Sequence, residues 1–188
     1  TQYRYDPLNP DSALSIGKGL VHDVIDDHQG NIWVGTNEGG LDKLDTETGE
    51  ITHFRHNPED PDSIAINQVY SMLEDQDGNI WICHSYIIPL GMERFHVKTQ
   101  KFEKFRHDPD NKDSISGDKI MDFYEDRSGI LWFVDNTGII NKYDRKSFKF
   151  QTYRHDPKDL NSLGSKSQIE IYEDKNNTLK NIPKKSFN

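Results

Sequence analysis

The sequence is poor in helix-favouring residues and has no long apolar run. Of its 188 residues only two are alanine, whereas aspartate, asparagine, glycine and proline together contribute 57. Alanine is the strongest helix former and the other four residues favour turns, so this composition argues against a helical protein. No run of about 18 apolar residues occurs, the length at which a membrane-spanning helix is expected. We therefore expect no membrane insertion by this segment.

Cysteine and positive charge are also scarce. The single cysteine, Cys83, excludes an internal disulfide and a cysteine-based zinc cluster. Residues 1–174 carry 19 Lys and Arg against 32 Asp and Glu, and this acidity disfavours nucleic acid as a partner. The segment from Asp75 to Asn79 resembles part of a calcium loop but lacks the later glutamate, and no histidine pair has metal-site spacing. We expect no metal ion and no cofactor.

The most informative feature is a repeat of about 48 residues. The motif Asp-x-x-Gly-x-Ile/Leu-Trp occurs at Asp27–Trp33, Asp75–Trp81 and Asp126–Trp132. A second motif, an aromatic residue followed by Arg-x-Asp/Asn-Pro, begins at Tyr3, Phe54, Phe105 and Tyr153. This period lies in the range for β-propeller blades.

Within each period, short runs of alternating apolar residues predict four strands. The aspartate of Asp-x-x-Gly is suited to accept hydrogen bonds from turn amides and the glycine to adopt a positive φ, so the first two strands should form a tight hairpin. A lone four-stranded blade cannot bury both of its faces, so we expect Trp33, Trp81 and Trp132 to pack against a neighbouring blade. The predicted fold is all-β, a partial β-propeller of four-stranded antiparallel blades.

The predicted β-propeller arc covers residues 1–174. Its complete blades are expected at about 16–55, 64–106 and 115–154, with strands of flanking blades at 2–5 and 168–173. The segment 175–188 has four lysines and no acid, and Asn177 and Lys180 stand where Gly and Trp are expected, which predicts a degenerate basic tail. A propeller needs about four to eight blades to close. We therefore expect self-association, or the remainder of a longer propeller, to complete the ring.

These motifs resemble the two-component regulator propeller repeats, and Asp27–Leu41 is a near-complete match to their pattern. The resemblance covers residues 1–174 and is strongest in the first three repeats. It implies the periplasmic sensor region of bacterial hybrid histidine kinases, in which propellers detect a ligand, often an oligosaccharide, and drive a kinase across the membrane. The implied function is a ligand-sensing propeller segment without enzymatic activity, which recognises an oligosaccharide or signals through partner contacts.

Departures from the repeat favour one face of the propeller as the ligand site. The loops between second and third strands and the connections between blades share a face, and both insertions, within 8–14 and 84–90, fall there. Loops of varied length commonly carry function. Polar side chains with an adjacent aromatic ring suit a hydroxyl-rich ligand. The candidate ligand-binding residues are Asn37, Glu38, His84, Ser85, Tyr86, Asp135 and Asn136. The alternative explanation is ordinary sequence variation in loops that have no binding function.

Two other functions stay open at this point. An enzyme similar to the streptogramin lyases would need a unique histidine beside an acid, and His84 with Asp135 or Glu93 is the available combination. A protein-interaction scaffold would need no such group. The histidines that recur at one repeat position are expected to be structural; they are His56, His107 and His155.

Overall fold

The computed structural model describes residues 2–84, 88–159, 162–163, 169–176 and 179–183, and within these ranges every extended regular element is a β-strand. The strands are β1 (Val21–Asp26), β2 (Ile32–Thr36), β3 (Leu41–Leu44), β4 (Ile51–Phe54), β5 (Ser71–Glu74), β6 (Ile80–Cys83), β7 (Met92–His96), β8 (Lys101–Phe105), β9 (Ile120–Glu125), β10 (Leu131–Asp135), β11 (Ile140–Asp144), β12 (Lys149–Tyr153), β13 (Ile169–Glu173) and β14 (Leu179–Pro183).

In this part of the chain the first twelve strands form three four-stranded sheets, each in chain order. We call β1–β4 blade 1, β5–β8 blade 2 and β9–β12 blade 3. Successive strands pair antiparallel, for example β1 with β2, β6 with β7 and β11 with β12. This is the blade topology that the sequence predicts, and the all-β prediction is confirmed.

The predicted flanking regions differ from expectation in detail. The flanking strand expected at 2–5 is reduced to a single bridge between Arg4 and Ser15. β14 lies inside the segment 175–188, where a tail without blade structure was expected, and pairs with β13. Backbone hydrogen bonding does not require the Gly and Trp that this repeat lacks, so a two-stranded hairpin continues without them.

The chain divides into two compact units, Thr1–Ser85 with Met92–Lys104 and Tyr86–Gly91 with Phe105–Asn188. In the first unit, Trp33 of blade 1 is fully buried in a cluster with residues of blade 2. Its ring contacts Phe95 edge-on, with centroids 5.7 Å apart. The prediction that Trp33 packs against the next blade is therefore confirmed. In the second unit, Trp132 packs against a cluster that includes Ile171 of β13.

Each blade contains a set of hydrogen bonds that we call the turn latch. The indole Nε1 donates to the aspartate Oδ2 at 2.8–2.9 Å in the pairs Trp33–Asp27, Trp81–Asp75 and Trp132–Asp126. In blade 1, Asp27 Oδ1 also accepts the amides of Gln29 and Asn31 at 2.9 and 2.8 Å. Gly30 completes this turn with a φ of 84°, which glycine adopts without steric cost. The latch thus closes the hairpin and orients the indole with one carboxylate.

A second carboxylate connects the first strands of adjacent blades. In the first unit, Asp23 accepts the amide of Val24 on one oxygen at 2.9 Å and that of Met72 on the other at 2.7 Å. In the second unit, Asp122 makes the equivalent bonds to Phe123 at 3.0 Å and Ile171 at 3.4 Å. Adjacent blades are therefore held by a polar bridge as well as by apolar packing.

We predict that Asp27→Ala lowers the free energy of unfolding by about 2–4 kcal/mol, because the buried indole N–H of Trp33 and two turn amides lose their acceptor. Urea denaturation followed by tryptophan fluorescence measures this loss. Gln29→Ala, in the same turn, is the control and should change stability by less than about 0.5 kcal/mol. A loss below about 1 kcal/mol for Asp27→Ala would contradict the latch.

Stability should also depend on acidity through the latch. Burial raises the pKa of Asp27, but hydrogen bonds from Asn31, Trp33 and the turn amides outweigh it, so the pKa lies below the usual 3.8. Burial likewise raises the pKa of Asp126, and bonds from Ser128, Trp132 and the turn amides lower it further than burial raises it. A carboxyl group whose pKa is lower in the folded than in the unfolded protein stabilises the fold at pH values above its unfolded-state pKa. This stabilisation is lost as the pH falls through its folded-state pKa.

We therefore expect the free energy of unfolding to decrease as the pH falls below the usual carboxyl pKa of 3.8. The double variant Asp27→Asn/Asp126→Asn should be less stable at neutral pH and show a shallower decrease in acid. Equilibrium unfolding at a series of pH values measures both slopes. Equal slopes for the two proteins would show that other carboxylates dominate the acid response.

Candidate functional site

The loop between β2 and β3 places two predicted ligand residues at the edge of blade 1. Asn37 Oδ1 accepts the amide of Leu20 at 2.7 Å, and the Asn37 amide donates to the Leu20 carbonyl at 3.1 Å. Glu38 is exposed and forms an ion pair with Lys18 at 2.8 Å. The loop thus lies beside the connection that enters β1, as expected for the loop-bearing face. The ion pair of Glu38 with Lys18 is exposed, and the Asn37 side chain is partly buried.

His84 follows β6 and is fully buried in the first unit. Its Nδ1 donates to the Gln68 carbonyl at 2.8 Å, and its Nε2 lies 3.0 Å from Glu93 Oε2, although these two atoms are not aligned for a hydrogen bond. Glu93 also accepts the amide of Ala65 at 3.1 Å. The predicted residue His84 is thus an interior partner of Glu93.

The buried position of His84 recurs in all three blades. Thr36, His84 and Asp135 each stand three residues after the tryptophan of their repeat, and all three are buried. The Thr36 hydroxyl accepts the amide of Gly39 at 2.8 Å and so braces the loop between β2 and β3. In blade 1 this buried position therefore holds the loop between the second and third strands, whereas His84 contacts Gln68 and Glu93.

Asp135 performs the same task in blade 3. Its Oδ1 accepts the amides of Thr137 and Ile139 at 2.8 and 3.0 Å, and its Oδ2 accepts the Ser116 hydroxyl at 2.6 Å. The next residue, Asn136, has an exposed side chain, and its amide donates to the Lys119 carbonyl at 2.9 Å. Of these two neighbouring candidates in the second unit, Asp135 is therefore buried and Asn136 is exposed. Ser85 and Tyr86 lie outside the described residues.

The third strand of each blade carries a buried acceptor, which sequence reasoning missed in blades 1 and 3 and named in blade 2 only as Glu93, a candidate acid for the lyase alternative. The second residue of the strand accepts a backbone amide from the segment that enters the blade, in the pairs Asp42–Gly17, Glu93–Ala65 and Asn141–Ser116. Each of these side chains is buried. The available signal was a polar residue at one fixed position of every third strand, because a buried polar group that recurs must have a partner.

The described residues contain neither a cluster of metal-binding side chains nor a helix that could span a membrane. No three His, Cys, Asp or Glu side chains within those ranges gather as they would around a metal ion. No helix there has the length and apolar character to cross a bilayer.

We predict that His84→Ala lowers the free energy of unfolding by about 3–5 kcal/mol, because it removes the buried imidazole that lies beside the buried Glu93 carboxyl group and leaves a cavity in its place. The double variant His84→Ala/Glu93→Gln should recover part of this loss, since a neutral amide oxygen still accepts the Ala65 amide. Urea unfolding of the single and double variants measures the coupling. A loss within about 1 kcal/mol for His84→Ala would show that the pair contributes little to the fold.

Two segments of the chain match a known protein family. Residues 15–38 and 63–86 match the family described as the two component regulator propeller. The first matched segment contains the turn latch of blade 1, and the second contains that of blade 2. A search of curated proteins finds no match.

Three solved structures share the fold at low sequence identity. A protein assigned as a hybrid two-component system from Bacteroides thetaiotaomicron, BT3049, has an extracellular domain with a TM-score of 0.66 at 22% identity over 95% of this chain and 21% of its own. PorZ, a surface component of the type-IX secretion system of Porphyromonas gingivalis, has a TM-score of 0.62 at 17% identity over 85% of this chain and 24% of its own. A catalytically inactive virginiamycin B lyase from Staphylococcus aureus has a TM-score of 0.54 at 13% identity over 87% of this chain and 55% of its own.

These structures support the fold, and this chain spans about a fifth of the length of the first. The family match adds to this likeness of fold, because it falls on two of the three segments that contain the Asp-x-x-Gly and Trp motif. The chain is therefore a segment of β-propeller blades, and its residues 15–38 and 63–86 match the two component regulator propeller family.

Proposed function

We propose that this chain is part of a periplasmic ligand-sensing propeller of a bacterial two-component system, and that its ligand is an oligosaccharide. The observation that carries this proposal is the match of two blades to the two-component regulator propeller family. The extracellular domain of the B. thetaiotaomicron protein shares the fold, which is consistent with a sensor outside the cytoplasm. No catalytic step is included in the proposal.

The loop-bearing edge of the blades supplies groups that fit such a ligand. Glu38 and Lys18 expose a carboxylate and an ammonium, and Asn136 exposes an amide. Donors and acceptors of these types bind sugar hydroxyls. In the first unit we assign Asn37, Glu38 and Ser85 as ligand contacts, and in the second unit Tyr86 and Asn136. Asp135 acts in this proposal by binding the amides of the loop that carries Asn136, and His84 acts through its buried contacts with Gln68 and Glu93.

Blade 1 has a further property that fits part of a longer propeller. Val21 and Val24 are 45% and 53% exposed, whereas Val69 and Met72, at the same repeat positions of blade 2, are 0% and 5% exposed. In blade 2 those residues pack in the cluster that contains Trp33. The exposed valines therefore fit contact with a preceding blade, supplied by the remainder of the propeller or by a second copy of the chain.

The lyase alternative receives less support from the site. It assigns catalysis to His84, whose side chain has no exposed surface and contacts Gln68 and Glu93. The virginiamycin B lyase shares the fold at 13% identity, and this likeness supports the fold alone. A scaffold function predicts protein partners in place of sugars. The experiment below separates a scaffold from a sugar sensor.

Isothermal titration calorimetry with neutral hexasaccharides tests the proposal, using cellohexaose, maltohexaose, xylohexaose and mannohexaose as probes. We expect saturable binding of at least one sugar with a micromolar Kd, about −8 kcal/mol. Glu38→Ala should weaken binding at least tenfold, because a carboxylate that accepts hydroxyl protons is removed. The matched control is Glu47→Ala, which removes an equally exposed glutamate from the turn at the opposite end of β3. Absence of heat with all four sugars would contradict the proposed function.

A further inference from the structure

The first strands of blades 1 and 3 each contain a bulge with one extra residue. In β1, Val21 pairs with Thr36 and Asp23 pairs with Gly35, so His22 is left without a partner in β2. In β9 the same irregularity leaves Met121 unpaired between Ile120 and Asp122. A bulge redirects the side chain of the extra residue and often lies beside a functional site. Tyr70 stands at the corresponding position of blade 2.

In the first unit this position produces a pair of exposed aromatic rings. The ring centroids of His22 and Tyr70 are 5.2 Å apart, with the planes inclined at 48°. Tyr70 is 39% exposed and His22 is exposed, whereas Val69, the neighbour of Tyr70, is fully buried. The two rings come from adjacent blades and meet at the surface. We call them the first-strand platform.

Both apolar and polar groups lie near the start of β1, which carries His22 of the platform. Leu20, two residues before His22, is 69% exposed. Its amide is bound by Asn37 Oδ1 at 2.7 Å, which places the loop of Asn37 and Glu38 beside the start of β1. A pyranose ring has an apolar C–H face and a rim of hydroxyls. An aromatic surface beside amide and carboxylate groups matches both features.

We infer that the first-strand platform is a stacking subsite for one pyranose ring of an oligosaccharide, with Asn37 and Glu38 binding the hydroxyls of the same sugar. This inference rests on the proposed function and deepens it, because it assigns two residues that loop length and loop polarity do not reveal. His22 and Tyr70 supply the apolar contact, and the ion-paired Glu38 supplies a charged acceptor. The subsite lies within the first unit.

The test uses the four hexasaccharides in calorimetry, together with NMR of the ring C–H signals of His22 and Tyr70. We expect the sugar that binds to perturb both sets of signals. His22→Ala and Tyr70→Ala should each weaken its binding at least tenfold, whereas Tyr70→Phe, which keeps the ring, should stay within threefold of the parent. Phe148→Ala is the control, since Phe148 is an aromatic residue that is 61% exposed in the turn between β11 and β12. Thermal unfolding confirms that each variant is folded.

The outcomes separate the subsite from the proposed function. Loss of binding in both alanine variants, with binding kept in Tyr70→Phe and Phe148→Ala, supports the subsite. Unchanged affinity in His22→Ala and Tyr70→Ala overturns the subsite and leaves the proposed function standing. Absence of binding by all four sugars overturns both.

Discussion

Each blade depends on one aspartate that binds two kinds of donor at once. Its Oδ1 accepts the amides of the hairpin turn and its Oδ2 accepts the indole N–H of the tryptophan six residues later. The first interaction closes the hairpin, and the second fixes the direction in which the ring projects. Without the second, a buried indole N–H would lack an acceptor, which is costly in an apolar core. A single side chain thus links the local turn to the packing of the tryptophan.

The contact between adjacent blades combines this oriented ring with polar bridges. Trp33 is buried among residues of blade 2. Asp23 binds the amide of Met72, and Glu74 accepts the amide of His28 at 2.9 Å and also contacts its ring. In the second unit, Glu173 accepts the amide of Arg127 at 2.9 Å in the same arrangement. The bridges are specific in register, because each joins a fixed position of one blade to a fixed position of the next.

This construction leaves the loops between second and third strands free to vary. Thr36 and Asp135 differ in chemistry but hold their loops by the same kind of side-chain acceptor. The scaffold therefore tolerates changes in the exposed residues that follow, such as Asn37 and Asn136, without losing its internal hydrogen bonds. Variable groups carried on a rigid framework are a common arrangement for recognition. The bulge in β1 adds the exposed aromatic side chain of His22 to the first unit.

The amino-acid sequence by itself determined the blade architecture, because a period near 48 residues, the Asp-x-x-Gly turns and the alternating strands are all local patterns. It also predicted the burial of Trp33 against the next blade, since a lone four-stranded blade cannot bury both of its faces. Only the tertiary structure decided that His84 and Asp135 are buried, and that His22 meets Tyr70 across two blades. The reason is physical. The partner of a polar or aromatic side chain comes from another strand, as Met72 does for Asp23. The repeat period does not specify how close two residues of different strands lie in space.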